Sequence, residues 1–379
     1  MKRRDLIRHL RAHDCEFLRE GGNHTVYWNP ATRRVSTLPR HRLMPNPEPV
    51  FHSHMVRRDA MTRYRNALPQ LGGDLFLTDG GIETTLIFHE ALELPHFAAF
   101  HLLKTPEGRA TLRKYFCTYA ELAKRFSAGL ILESPTWRAS PDWGARLGYT
   151  ADDLAEANRE AISLLQEVRS EYGTDRAPVV ISGCVGPRGD GYVPDRAMSV
   201  PEAEAYHREQ VDTLASTAAD MVCAITMNYA DEAVGIASAA RQAQMPVAIS
   251  FTVETDGNLP TGQTLKAAIE QVDEATSGYP TYYMINCAHP THFEPALGKG
   301  EPWVERIRGL RANASRMSHA ELDEALELDI GDPVELGREY AELKSRLHQL
   351  SVMGGCCGTD HRHIEQIATA CLPLFRDAT

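Results

Sequence analysis

The sequence predicts an α/β fold, a (β/α)8 TIM barrel preceded by a small α+β segment, and three observations carry that prediction. About eight short apolar runs alternate with helical patterns over roughly 300 residues, a rhythm that fits an eight-stranded barrel better than a doubly wound sheet. Polar and glycine-rich residues gather directly after those runs, where barrel active sites are assembled. Charge also divides the chain. Residues 1–70 carry 14 Lys and Arg against 6 Asp and Glu, or +8, whereas the remainder carries 26 against 45, or −19. A basic head on an acidic body marks two modules.

The head opens with Leu6, Ile7 and Leu10 at helical spacing, and then Cys15 to Arg19, His24 to Trp28 and Arg34 to Leu38 read as three short strands. Gly21-Gly22 and Asn29-Pro30 supply the turns. From Met44 to Pro49 alternate prolines remove backbone donors and restrict the preceding residues, so no regular element is expected there. The organisation expected is a basic α+β segment over 1–43, a linker over 44–70 and the barrel over 71–379.

The barrel strands are expected at Leu75 to Leu77, Leu130 to Leu132, Val179 to Ile181, Met221 to Ile225, Val247 to Phe251, Tyr282 to Ile285, around Leu310, and Leu350 to Met353. Their ends carry Asp79-Gly80-Gly81, Glu133-Ser134-Pro135-Thr136, Gly183 to Pro187, Thr226-Met227-Asn228, Thr252 with Glu254, Asn286-Cys287, Asn313, and Gly354-Gly355-Cys356-Cys357-Gly358.

Several function classes are excluded. No apolar stretch of about 18 residues exists to span a membrane, and no continuous apolar run follows the amino terminus as in a secretory signal. Eight cysteines in 379 residues are too sparse for a disulfide framework and suit a reducing, cytoplasmic setting. Clustered cysteines therefore call for metal or redox chemistry.

Cys356 and Cys357 are adjacent and flanked by glycines, which gives the backbone freedom to aim both sulfurs at one point. A third sulfur from Cys287, at another strand end, completes three protein ligands and leaves one tetrahedral position open, as catalytic zinc (Zn2+) requires. A thiol entering that position would lose its proton at neutral pH and stay nucleophilic. Cys15, Cys117, Cys184, Cys223 and Cys371 have no such setting and are expected to be ordinary thiols. His289, His292, His361 and His363 lie near the motifs, but three sulfurs and a substrate already fill the shell.

The segments Gly354-Gly355-Cys356-Cys357-Gly358-Thr359 and Asn286-Cys287 resemble the two zinc motifs of the homocysteine S-methyltransferase family. The resemblance runs from about Leu71 to Leu374 and includes Thr78-Asp79-Gly80-Gly81, Gly186-Pro187, Ser250-Phe251-Thr252 with Thr261-Gly262, and His363-Ile364. It implies a (β/α)8 barrel in which Cys287, Cys356 and Cys357 bind zinc and activate homocysteine. It also implies that backbone amides of Asp79, Gly80 and Gly81 receive the amino-acid carboxylate, with Thr226 and Asn286 lining the same site. No cobalamin or folate module is visible, so the donor expected is small: S-methylmethionine, S-adenosylmethionine or a betaine-like compound.

The chain departs from that family at one telling point. Where the family has Glu-Thr at the fourth strand end to hold the substrate ammonium, this chain has Ile225-Thr226. An apolar side chain cannot neutralise an ammonium, so either Glu133, Glu83 or Glu254 substitutes or the acceptor is another thiol or selenol. Glu133 is the preferred candidate, its structural alternative being an ion pair with Arg138 or Arg146.

Residues 1 to about 42 resemble HicA-type mRNA interferase toxins through Lys2-Arg3-Arg4-Asp5-Leu6-Ile7, Gly21-Gly22-Asn23-His24 and Ser36-Thr37-Leu38-Pro39-Arg40-His41. The resemblance implies a double-stranded-RNA-binding-domain-like fold with His24 linked to RNA cleavage. RNA is thus an expected partner of the head alone.

Overall fold

The structure, a computed structural model, describes residues 62–376 apart from 195–196, 299 and 326, together with three strands nearer the amino terminus. Contacts divide the chain into two compact units, Met1–Asp59 and Ala60–Thr379.

In the first unit, β1 (Glu16–Glu20), β2 (His24–Asn29) and β3 (Arg34–Pro39) pair antiparallel in the order β1-β2-β3. The run Thr25-Val26-Tyr27-Trp28 is β-branched and aromatic, which suits a strand. His24 opens β2, in register with Pro39. The helix expected around Leu6, Ile7 and Leu10 and the linker core Met44 to Pro49 lie outside the described residues.

In the second unit, β4 (Phe76–Leu77), β5 (Gly129–Glu133), β6 (Val179–Val185), β7 (Met221–Met227), β8 (Val247–Thr252), β9 (Tyr282–Asn286), β10 (Ile307–Ala312) and β11 (Val352–Gly355) close into a parallel barrel. Every expected run forms a strand. Closure is direct, with Val352 opposite Phe76 and Met353 opposite Leu77. The runs are almost wholly apolar because each strand buries both faces. In β7, Val222 and Ala224 face the helical shell, whereas Met221, Cys223 and Ile225 join Phe76, Ile131, Val180, Tyr282, Met284 and Val352 in the interior.

Helices Pro106–Phe126, Ala151–Tyr172, Val200–Ala215, Ala230–Gln242 and Leu265–Thr276 follow the first five barrel strands. Two of their starts show why they begin there. Thr105 Oγ1 accepts the Gly108 N–H, and Thr150 with Asp153 forms a reciprocal capping box. After β9 the helix shrinks to Pro290–Phe293, so that side of the barrel is closed by loops before Pro333–Arg346 and His361–Cys371 complete the ring.

Residues 62–70, assigned to the linker by composition, instead pack beneath the amino-terminal ends of the strands. Leu68 enters the interior cluster with Tyr64 against it. The Gln70 carbonyl accepts from Ser351 Oγ, and Arg65 donates to the carbonyls of Ala215, Thr217 and Ala219. Buried Asp220 accepts the Arg63 and Tyr64 N–H groups on one oxygen, and the Ile181 N–H and Arg169 guanidinium on the other. The prolines that mark the linker stop at Pro49, and the apolar Tyr64 and Leu68 already belong to the second unit.

Candidate metal and thiol site

The carboxyl-terminal mouth of the barrel is assembled by hydrogen bonds between neighbouring strand-end loops. Asp79 carbonyl accepts from Gly355 N at 2.9 Å, Ala312 carbonyl from Cys356 N at 2.8 Å, and Arg311 carbonyl from Cys287 N at 3.1 Å. Glycine is required where these loops meet. A Cβ on Gly354 would collide with Thr78 Oγ1, one on Gly355 with Thr359 Oγ1, and one on Gly81 with the Cys356 carbonyl. The glycines flanking the cysteine pair thus bring β11 against the first βα turn.

The sulfurs of Cys287, Cys356 and Cys357 all lie within 4.8 Å of one another, and they form the sole such cluster of three His, Cys, Asp or Glu ligand atoms among the described residues. Cys287 and Cys356 are joined sulfur to sulfur, with Cα atoms 5.4 Å apart. Burial pushes the Cys357 thiol up, opposed by the Tyr192 hydroxyl 3.6 Å from its sulfur. Cys117, Cys184, Cys223 and Cys371 are buried free thiols away from this cluster; Cys15 lies outside the described residues.

Two backbones here adopt a left-handed conformation that side chains disfavour, Thr226 at φ +63° and Cys287 at φ +53°. Asn286 holds them. Its Oδ1 accepts from Thr226 N at 3.0 Å and Ser250 Oγ at 2.6 Å, while its Nδ2 donates to Thr226 Oγ1 at 2.9 Å. Thr226 Oγ1 lies 3.9 Å from Cys287 Sγ, so both residues border the sulfur cluster.

Among the carboxylates, Asp79 is already engaged. Arg311 Nη2 donates to its Oδ1 at 2.5 Å and Tyr115 Oη to its Oδ2 at 3.0 Å, and the three residues are buried together. The Gly81 N–H donates to the Thr359 carbonyl at 3.0 Å. Glu133 differs: it is 7% exposed, its Oε2 has no hydrogen-bond partner, and burial pushes its carboxyl up to about 7, opposed by the Arg311 charge and the neighbouring Ser182 hydroxyl. It pairs with neither Arg138 nor Arg146. Arg138 lies between the rings of Trp137 and Trp143 and donates to the Gly189 carbonyl, and Arg146 stacks on Trp143. Glu83, also at the mouth, is pushed to about 7 by burial, and Glu254 is paired with His319 Nδ1 at 3.1 Å. Ile225 does face the interior.

Three residues of the site escape sequence reasoning. Arg311 sits one residue from the end of β10, a strand that also carries Arg308, and its partner Asp79 is far away in sequence. Tyr192 comes from the loop after β6 and His319 from the start of the short helix His319–Glu324 after β10; their rings stack 4.0 Å apart, and His319 Nε2 lies 2.5 Å from the Cys287 carbonyl. The histidines near the motifs serve elsewhere. His363 meets Asp360 and the Ile330 carbonyl, and His289 meets Thr291 and Glu339.

The model of the family described as homocysteine S-methyltransferase matches residues 76–371. Homocysteine S-methyltransferase 1 of Brassica oleracea var. italica is 21% identical over 316 residues, 78% of this chain and 93% of the relative. Homocysteine S-methyltransferase 2 of Arabidopsis thaliana is 22% identical over 329 residues, 80% of this chain and 94% of the relative. The fold is shared with the crystal structure of the homocysteine methyltransferase MmuM from Escherichia coli. Its oxidized form gives a TM-score of 0.63 at 20% identity, covering 79% of this chain and 99% of that one. Its metallated form gives 0.59 at 18%, covering 78% and 96%.

Proposed function

The chain belongs to the homocysteine S-methyltransferase family and is a methyltransferase, and we propose that it uses zinc on Cys287, Cys356 and Cys357 to methylate homocysteine to methionine. The observation that carries this reading is the convergence of three sulfurs, from the ends of β9 and β11, within 4.8 Å of one another. Tetrahedral zinc with Zn–S bonds of about 2.3 Å sets its sulfurs about 3.8 Å apart. With Cys287 and Cys356 both reduced to thiols, the three cysteines supply the sulfur donors of that set.

Bound there, the metal would supply an open fourth position at which a thiol loses its proton at neutral pH. The acceptor sulfur then attacks the donor's methyl carbon; the new S–CH3 bond forms as the donor's onium C–S or C–N bond breaks, and the donor leaves neutral. Asp79, Gly80, Gly81, Glu133, Thr226 and Asn286 line the acceptor's end of this space. Trp137 and Thr226 crowd Gly191, so the segment carrying Tyr192 lies across the mouth and excludes water. A small onium such as S-methylmethionine, S-adenosylmethionine or a betaine-like compound suits these aromatic walls. Four buried free thiols agree with a reducing, cytoplasmic setting, and no described helix is long and apolar enough to cross a membrane.

The test is methionine formation by the zinc-loaded full chain from homocysteine and each of the three donors, followed by mass spectrometry. Wild type should produce methionine with at least one donor, and Cys357→Ser should lose about 10³-fold or more. No methionine with any donor, or an unimpaired Cys357→Ser, would reject the reading. Ile225 favours a second reading, in which another thiol or selenol is the acceptor; product from such a compound but none from homocysteine would select it. For the head, the charge of +6 over residues 1–59 (12 Lys and Arg against 6 Asp and Glu) and the three-stranded sheet containing His24 support an RNA-binding role. RNA binding that weakens steeply as salt rises is the expected result, and no binding at low salt would reject this role.

A further inference from the structure

Two buried polar groups at the barrel mouth have unfilled valences of opposite kind. Glu133 Oε2 accepts no hydrogen bond and Arg311 Nη1 donates none, although the residues are only 7% and 5% exposed. An orphaned buried polar atom costs free energy unless a ligand completes it. The rest of the Arg311 guanidinium is fixed: Nε donates to the Gly355 carbonyl at 3.1 Å, and Nη2 to Asp79 Oδ1. Nη1 alone is left over. The two residues stand three strands apart around the wall, on β5 and β10, close enough for each charge to favour the other's ionised form. Glu133 lies two residues beyond Ile131 on β5 and shares its interior face, beside the interior thiols Cys184 and Cys223.

We propose that Glu133 and Arg311 together read the zwitterionic end of the acceptor, Glu133 taking the α-ammonium and Arg311 Nη1 the α-carboxylate. The inference rests on the thiol-methylating reading above and names how its substrate is chosen. Ile225 leaves the wall at β7 apolar; of the carboxylates at the mouth, Asp79 is saturated by Arg311 and Tyr115 and Glu254 is held by His319, and of the other two Glu133 is the buried one with an orphaned oxygen, whereas Glu83 is only partly buried. Arg311 matches a carboxylate because its fork is planar and already oriented by two bonds. An acceptor lacking either charge leaves one of these groups unpaired in a buried site and is rejected.

The experiment is calorimetric binding to the zinc-loaded full chain of three thiols sharing one chain length: homocysteine, 4-mercaptobutanoate without the amine, and 3-mercaptopropylamine without the carboxylate. Wild type should bind homocysteine about 10- to 100-fold more tightly than either truncated thiol. Glu133→Gln should remove that advantage over 4-mercaptobutanoate while leaving the latter's affinity within about twofold. Arg311→Lys keeps the charge beside Asp79 but loses the second prong, and should weaken homocysteine and 4-mercaptobutanoate while sparing 3-mercaptopropylamine. Equal affinity for all three thiols on wild type would overturn the proposal without any variant having to fold, and would leave thiol activation standing. Equal weakening of homocysteine and 4-mercaptobutanoate by Glu133→Gln would overturn it as well. A zinc-loaded chain that binds none of the three would reject the parent reading and this one together.

Discussion

Asn286 grips Thr226 from two strands away, its carboxamide accepting the Thr226 N–H at 3.0 Å and donating to the Thr226 hydroxyl at 2.9 Å. Both Thr226 and Cys287, which follows Asn286, have positive φ. Such backbones persist where surrounding bonds over-determine them. Asn286→Ala would orphan the Thr226 N–H and the Ser250 hydroxyl in a fully buried site. Urea denaturation should show a loss of about 2–4 kcal/mol, and zinc retained after dialysis should fall. An unchanged midpoint with full zinc would contradict the clamp.

At the opposite mouth, Asp220 joins residues 62–72 to the barrel through its bonds to Arg63, Tyr64, Ile181 and Arg169. Asp220→Ala leaves Arg169 charged and buried without its partner, and the expected cost is about 3–5 kcal/mol. Asp220→Asn keeps acceptor oxygen and should cost less. Since this network is far from the sulfurs, the remaining folded fraction should keep its zinc. A loss below about 1 kcal/mol by denaturant midpoint would be inconsistent with this role.

Gly354→Ala drives a methyl group into Thr78 Oγ1 and toward the Asp79 carbonyl. Overpacking of this kind costs about 1–3 kcal/mol and displaces the cysteine pair, so zinc affinity should fall with the melting temperature. Gly72→Ala is the control: nothing lies within 4 Å of its new Cβ, and a shift under about 0.5 kcal/mol is expected.

Glu133 makes stability depend on pH. Its folded-state pKa, about 7, stands above the ordinary carboxyl value of 4.5. The folded chain therefore holds this proton more tightly than the unfolded chain, so the group's effect disfavours folding as pH rises from about 4.5 to 7 and levels off above. The size is on the order of 3 kcal/mol. In the absence of thiol, Glu133→Gln should stabilise the chain at pH 8 relative to wild type and lose that advantage by pH 5. Glu83, raised to about 7, shifts in the same window in both proteins and does not enter the difference. A difference between the two midpoints that is constant with pH would exclude the assignment.

Much of this was legible in the sequence, for physical reasons that also explain the omissions. Parallel strands buried on both faces read as apolar runs, so all eight barrel strands were visible. The cysteine pair announced itself through local glycines. Arg311 did not, because its neighbours Ile307, Leu310 and Ala312 look like any barrel strand and its partner Asp79 lies 232 positions away. Tyr192 sits in a loop and His319 opens the short helix His319–Glu324, too short to carry a period, and only their stacking in space reveals them. The freedom of Glu133 was equally hidden: Arg138 beside it in sequence is turned toward Trp137 and Trp143. Composition placed residues 62–70 in a linker, whereas Leu68 and Gln70 are buried beneath the barrel.

The most direct test of the account is the zinc content per chain, by elemental mass spectrometry, of the full chain purified under reducing conditions and of the variant with Cys287, Cys356 and Cys357 all changed to serine. The account predicts about one zinc in the wild type and none in the folded variant. A wild-type chain that stays zinc-free when zinc is supplied, or a serine variant that keeps its zinc, would contradict it.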